Sequence, residues 1–395
     1  TLGKGLLKAN LVYVDVQYVV GKMDEKIKVC FVSAFAYPLF NPKKERTFGG
    51  AEVQMYLISK ELAKDKKYDV SVVVADFGQK EVEIHNNVKV YSSFKTAKNP
   101  FNYLIAPLKF YKTLKKINPD IVIQRSAGLE TGICAFYCKR NNKKFIYSIA
   151  HKIDVNGEYA SKGIRGRVYD YGLRNADFII AQSKKQTNLL QKRKIRNTRI
   201  IKSGYEIKPT KAKNKKFILW VGRSDKWKRP ELFLKLAKEF PKEKFVMIMP
   251  KSSDKKTWDK IYEQSKKIKN LKFIEKVPFR YIQNYFDKAK IFVNTSEYEG
   301  FPNTFIQSCI DSTPILSLRV NPDNFINRYN CGFCCNNKMD RMKNKLNVLL
   351  KDKNKYNSMK SYAFKYAKKN HAIKEIIKEL KKAIQNLAKK KKNKK

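Results

Sequence analysis

The chain has 395 residues, 43% of them hydrophobic and 12% aromatic, which is enough to build more than one packed core and excludes a disordered or fibrous polymer. Lys and Arg number 86 against 35 Asp and Glu, a formal charge of +51, and no apolar run reaches the length of a membrane-spanning helix. Lys is spread through nearly every segment and no helix-turn-helix, RNP-type or zinc-finger pattern is present, so nucleic acid is disfavoured as a partner.

In chain order, residues 1–22 are apolar in part, but Lys4, Lys8, Asn10, Asp15 and Gln17 interrupt them and the order of a secretory signal is missing. Met23 stands just before a first buried strand, Ile27–Ser33. Residues 1–22 therefore read as an N-terminal extension, either foreign to the domain or an added strand or helix. Strands are then expected at Val70–Ala75, Ile121–Gln124, Phe145–Ile149, Phe178–Gln182 and Arg199–Lys202. Helices lie between them, and Ala51–Lys64 carries Val53, Leu57, Ile58 and Leu62 as an apolar stripe at helical spacing. Such alternation predicts βαβ units and a parallel sheet over 23–207.

The polar, Lys-rich stretch 208–215 reads as a linker. Beyond it the pattern restarts at Phe217–Gly222 and continues through Phe245–Met249, Leu271–Ile274, Ile291–Asn294 and Pro314–Leu318, a second α/β domain over 216–365. No strand is expected after Cys335. The chain reads helical from Lys343, and 366–395 forms a C-terminal helix and Lys-rich tail. Seven cysteines are scattered, including Cys134, Cys138, Cys331, Cys334 and Cys335. With His85, His151 and His371 far apart in sequence, structural thiols fit better than metal ligands, and no metal is expected.

The most informative segment is Ser296 to Gln307. It follows an apolar strand and leads into a helix, the place where open α/β sheets bind ligands. Glu299 supplies a carboxylate that accepts hydrogen bonds from sugar hydroxyls. Gly300, Phe301, Pro302, Asn303 and Thr304 form a turn that exposes backbone N–H groups at a helix start, suited to phosphate. Gly222, Arg223 and Lys228 likewise follow the first strand of the second domain, and fixed cations there would stabilise a departing diphosphate. Gly49 and Gly50, followed by Glu52, open the Ala51–Lys64 helix and permit close backbone approach, or form a plain turn. His151 follows the Phe145–Ile149 strand; as a cleft residue or as a structural histidine it is equally placed.

Together these motifs resemble the donor site of retaining glycosyltransferases with the GT-B fold, of the glycosyltransferase family 4 (group 1) type. The resemblance covers Met23 to about Leu380. It implies an α/β, GT-B architecture: two Rossmann-like domains with parallel sheets facing across a cleft, and C-terminal helices crossing back to the first domain. In that family two glutamates are separated by seven intervening residues, the first on the transferred sugar or phosphate and the second on the ribose. Glu299 matches the first; Gln307 occupies the second, where a neutral amide accepts a weaker hydrogen bond than a carboxylate. Arg223 and Lys228 match the basic pair on the donor pyrophosphate. Gly49, Gly50 and Glu52 match an acceptor or phosphate loop, and His151 matches a cleft histidine, with Asp154 and Glu158 toward the acceptor.

The resemblance further implies transfer without a metal or other cofactor, from a UDP- or GDP-sugar to a glycan or lipid-linked acceptor. The setting it implies is cytoplasmic envelope polysaccharide synthesis, extending to the inner face of an anionic membrane surface. The absence of any Asp-x-Asp tripeptide argues against the metal-dependent alternative. Two other readings stay open: a nucleotide-sugar-binding protein with impaired catalysis, motivated by Gln307, and a basic membrane-surface or nucleic-acid binder, motivated by charge alone.

Overall fold

The computed structural model describes residues 26–44, 48–95, 100–208, 214–252 and 254–392. The extension 1–22, residues 209–213 of the expected linker and the last three residues of the Lys-rich tail lie outside the described residues. Two sheets carry the architecture. The first contains β1 (Ile27–Val32), β2 (Tyr68–Asp76), β3 (Val82–His85), β4 (Val88–Lys95), β5 (Ile121–Arg125), β6 (Lys144–Ser148), β7 (Phe178–Ala181) and β8 (Thr198–Ile200). Its order is β3-β4-β2-β1-β5-β6-β7-β8. The second contains β9 (Phe217–Val221), β10 (Phe245–Ile248), β11 (Leu271–Ile274), β12 (Ala289–Asn294), β13 (Ile315–Ser317) and β14 (Gly332–Cys334). Its order is β11-β10-β9-β12-β13-β14.

All pairings are parallel except the β3–β4 hairpin. Helices cover the parallel strands, so β1, β5, β10 and β12 are buried along most of their length and read as continuous apolar runs. Strand order reverses between β1 and β5 in the first sheet and between β9 and β12 in the second. Loops leaving the carboxyl ends of such neighbours diverge and leave a crevice, the usual ligand position in open α/β sheets.

The expected strands are all present with ends shifted by a few residues, and three more appear. The β3–β4 hairpin turns at Asn86 and Asn87, both with positive φ (51° and 64°), the conformation that two-residue hairpin loops demand. The third is β14, a short strand not expected from the sequence; it ends at Cys334, and among the described residues no strand follows Cys335, as expected. Gly332 there has φ +148°, and a Cβ would be driven into the Ile315 backbone. All seven cysteines are free and buried.

The last helices join the domains. Helix Lys353–His371 packs on helix Asn303–Ile310 of the second domain. The chain then bridges to the first domain, where Tyr205 N–H donates to His371 O (2.8 Å) and Ile373 N–H donates to Tyr205 O (2.9 Å). Helix Ile373–Lys392 sets Ile373, Ile376, Ile377, Leu380 and Ile384 into the core formed with Ile58 and Leu62. Each side chain buried this way contributes roughly 1.5–3 kcal/mol. The crossing helix thus begins at Ile373, later than the expected 366.

Candidate active site

The two loops that flank the β9–β12 reversal are laced together. After β9 the chain makes a short 3-10 turn, Lys226–Lys228, and passes through Arg229 in a left-handed conformation (φ 48°). Pro230 then opens the next helix. Arg229 Nε donates to Thr295 O (2.8 Å), Nη2 to Ser296 O (3.2 Å) and Nη1 to Asn337 Oδ1 (2.7 Å). Thr295 Oγ1 donates to Lys228 O (2.6 Å) and accepts from Trp220 Nε1 (2.9 Å). Glu297 N–H donates to Trp227 O (2.7 Å).

This lacing brings Lys228 Nζ onto Glu299 Oε1, which also accepts from Ser296 Oγ at 2.8 Å. The two charged side chains are 18% and 11% exposed. A pair so shielded is fixed in place, and removing one member leaves the other buried and uncompensated. Arg223 is not drawn into this pair. It bonds the buried carboxylate of Asp225 at 2.8 Å and remains 41% exposed, facing solvent at the same loop. Gly222 continues β9 toward this loop, its N–H donating to Ile248 O (3.1 Å).

Farther along the second loop, Phe301 packs its ring against Phe325 (5.1 Å) and His371 (5.2 Å). Pro302 precedes the helix Asn303–Ile310, with Thr304 in its first turn. Gln307 is buried in that helix; its Nε2 donates to Gln283 Oε1 (3.2 Å). Gln283 Nε2 in turn donates to Gln307 O (2.9 Å) and to Asp311 Oδ2 (2.6 Å). Burial pushes the Asp311 carboxyl up to about 7.

The first domain meets these loops directly. Asn303 Nδ2 donates to Gly50 O (2.9 Å), and Asn303 Oδ1 accepts from Gln54 Nε2 (3.3 Å). Asn303 is therefore a tie between the domains. Glu52 Oε2 accepts from Gly49 N–H (2.8 Å), one half of a capping box, so this carboxylate is turned back on its own helix start. A Cβ on Gly300 would be driven into the Ala150 carbonyl, just before His151.

Asp154 requires a correction. The sequence placed it toward the acceptor, yet it is 1% exposed. Its carboxylate accepts from Ala150 N–H (2.8 Å) and His151 N–H (3.0 Å), and its carbonyl accepts from Tyr169 OH. Burial raises its pKa and those two backbone donors pull it back down. It is a clasp for the His151 turn. Glu158 is exposed and bonded to Asn156.

Three residues were missed by sequence reasoning. His151 stands edge-on to Tyr298 (5.8 Å between rings), and Tyr298 stacks on Trp227 (6.0 Å, 11° between planes). His151 Nδ1 and Trp227 Nε1 are both buried without a hydrogen-bond partner among the described residues. Buried polar atoms are normally satisfied, so these two nitrogens keep hydrogen-bonding capacity that none of the described residues uses. Tyr298 and Trp227 lie inside the motifs already singled out, and their aromatic character was the available signal. The third, Arg125, ends β5 deep in the first domain, where Nη1 donates to Ser148 Oγ (3.1 Å) and burial lowers its pKa to about 10. Nothing in the sequence distinguishes it among 86 basic residues.

Two α/β domains with largely parallel sheets, joined by a returning C-terminal helix, define the GT-B fold, with the Lys–Glu pair at the second reversal. The chain resembles the sucrose-phosphate synthase of Thermosynechococcus elongatus with a TM-score of 0.74 at 14% identity, covering 92% of this chain and 99% of that one. It also resembles S. aureus TarM, solved with Fondaparinux, alpha-GlcNAc-glycerol and UDP, with a TM-score of 0.71 at 14% identity over 91% and 99% of the two chains. The Glycosyltransferase Family 4 profile matches residues 48–207 and the Glycosyl transferases group 1 profile matches residues 204–366. The chain is accordingly a glycosyltransferase of the family 4 type. An uncharacterised glycosyltransferase from Methanocaldococcus jannaschii is 26% identical over 381 aligned residues, 86% of this chain and 95% of that relative.

Proposed function

We propose that the protein transfers a sugar from a nucleotide-sugar donor to a glycan or lipid-linked acceptor, with retention of anomeric configuration and without a metal ion. The observation that carries this reading is the Lys228–Glu299 pair between the β9 and β12 loops. Negative charge grows on the diphosphate as the glycosidic bond breaks, and Lys228 with Arg223 supplies fixed cations where a metal would otherwise serve. Glu299, oriented by Lys228 and Ser296, accepts hydrogen bonds from the hydroxyls of the transferred sugar. Gln307 keeps its carbonyl oxygen for a ribose hydroxyl while its amide is held by Gln283.

Neither nearby carboxylate is offered to the anomeric carbon as a nucleophile. Glu299 is engaged by Lys228 and Ser296, and Asp154 by backbone N–H groups. Front-face displacement fits this arrangement, with the leaving phosphate taking the acceptor proton. Tyr298, Trp227 and His151 form the wall against which the acceptor or transferred sugar rests, and the two orphan nitrogens hydrogen-bond it. UDP is the first donor nucleotide to test, because TarM was solved with it. GDP is the second. The +51 charge suits a lipid-linked acceptor at the cytoplasmic face of an anionic membrane.

The test is proton NMR of the product formed from an α-linked nucleotide sugar in the presence of EDTA. An α-anomeric product formed at an undiminished rate is expected. An inverted product, or a rate that collapses until a divalent ion is restored, overturns retention or metal independence respectively.

A further inference from the structure

A second cavity, of about 380 Å³, shares none of its lining with the Lys228–Glu299 cleft. Arg328, Tyr329 and Asn330 form one wall, and Tyr362, Lys365, Tyr366, Lys369 and Asn370 of helix Lys353–His371 form the other. Three tyrosines and three cations converge here, and no carboxylate lines the space. Among the described residues Arg328, Lys365 and Lys369 have no acidic partner; Arg328 lies over Tyr329 (5.8 Å) and Lys365 over Tyr362 (5.6 Å). Tyr362 is 46% exposed, leaving its ring open at the edge of the cavity.

The first domain also reaches this cavity. Lys202 Nζ donates to Asn370 Oδ1 (2.6 Å) and sits over the Tyr366 ring (5.8 Å). The carboxylate whose field reaches Lys202 and opposes Arg328 is Asp323, and its oxygens are taken by Lys184 N–H (2.8 Å) and Lys185 N–H (3.4 Å). Asp323 keeps its charge, but Arg328, Lys365, Lys369 and Lys202 outnumber it, so the cavity is net positive, with tyrosine rings on two sides. Unpaired cations beside tyrosine rings suit an anion carried on a ring.

We propose that this cavity binds a phosphate monoester borne on a ring, the chemistry shared by sugar phosphates and nucleoside monophosphates. The ring lies against Tyr362 and Tyr329, and the phosphate lies between Arg328, Lys365 and Lys369. Because Asn370 and Lys202 close one end, an occupant touches both domains next to the crossover at Ala372. Occupancy is thereby linked to the angle between the domains.

Isothermal titration of the full chain with glucose 6-phosphate and with UMP tests this, with inorganic phosphate at matched ionic strength as the reference. At least one ring phosphate is expected to bind about tenfold more tightly than inorganic phosphate, a difference that ring stacking can supply. Tyr362→Ala, which changes no charge, and Arg328→Ala are each expected to weaken that binding about tenfold, whereas Arg223→Ala leaves it unchanged. Both Tyr362 and Arg328 are exposed, so the variants should keep the wild-type unfolding midpoint. Binding no tighter than inorganic phosphate overturns the proposal. So does binding that survives Tyr362→Ala, or binding abolished by Arg223→Ala, which would place the ligand in the donor cleft.

Discussion

Gln307 shows how a single side chain depends on its neighbours. The Gln283 amide donates at once to Gln307 O and Asp311 Oδ2, and Gln307 Nε2 returns a hydrogen bond to Gln283. Asp311 is one helical turn beyond Gln307, so a glutamate at 307 would add a second buried carboxyl on the same face. It would also lose the donor that satisfies Gln283. Gln307→Glu is expected to destabilise the protein by about 1–3 kcal/mol. The loss should be larger above pH 7, because Asp311, held near that value by burial, is then ionised as well. Urea unfolding at pH 6 and pH 8 measures both effects; unchanged stability at both would contradict this explanation of the amide. Glu299, Arg223 and Lys228 were legible from their place after apolar strands. The inward turn of Glu52 and Asp154 was not, because a cap and a ligand contact ask for the same side chain.

At the scale of elements, the parallel strands were legible because burial on both faces requires continuous apolar runs. The β3–β4 hairpin was missed although Asn86-Asn87 is a turn signal, since its strands mix Lys and Glu with Val at an edge. The crossover at His371 was not legible at all. There His371 Nδ1 donates to Ser203 O (2.8 Å), Nε2 accepts from Tyr366 OH (3.3 Å), and burial pushes its pKa down to about 3. Above the ordinary histidine value near 6.5 the ring is neutral in folded and unfolded chains alike. As pH falls below it, the unfolded chain takes up a proton that the folded protein refuses, so stability is lost by up to about 1.4 kcal/mol per pH unit. Asp311 acts in the opposite sense between its unfolded value and about 7, so the comparison must be made against a variant. The stability advantage of wild type over His371→Gln should shrink by about 2 kcal/mol between pH 7 and pH 5. A difference that does not change with pH would show that the imidazole is not held neutral.

Across the whole molecule, the decisive feature is where strand order reverses. Sequence spacing located the loops after β9 and β12, but only the order β10-β9-β12-β13 makes them neighbours. That adjacency brings Lys228 to Glu299 across 71 residues of chain. The same logic applies in the first domain, where the loop after β1 carries Gly49 and Gly50 onto Asn303. The +51 charge contributes nothing to this arrangement and describes the surface alone. Among the described residues no helix is long and apolar enough to cross a membrane.

The central claim is that the Lys228–Glu299 pair is the centre of sugar transfer, and the direct measurement is nucleoside diphosphate release from a nucleotide sugar at saturating donor. Wild type should turn over, while Glu299→Ala and Lys228→Ala should each lose at least about a hundredfold in kcat, the scale on which one electrostatic stabiliser matters. Turnover in either variant equal to wild type would contradict the account.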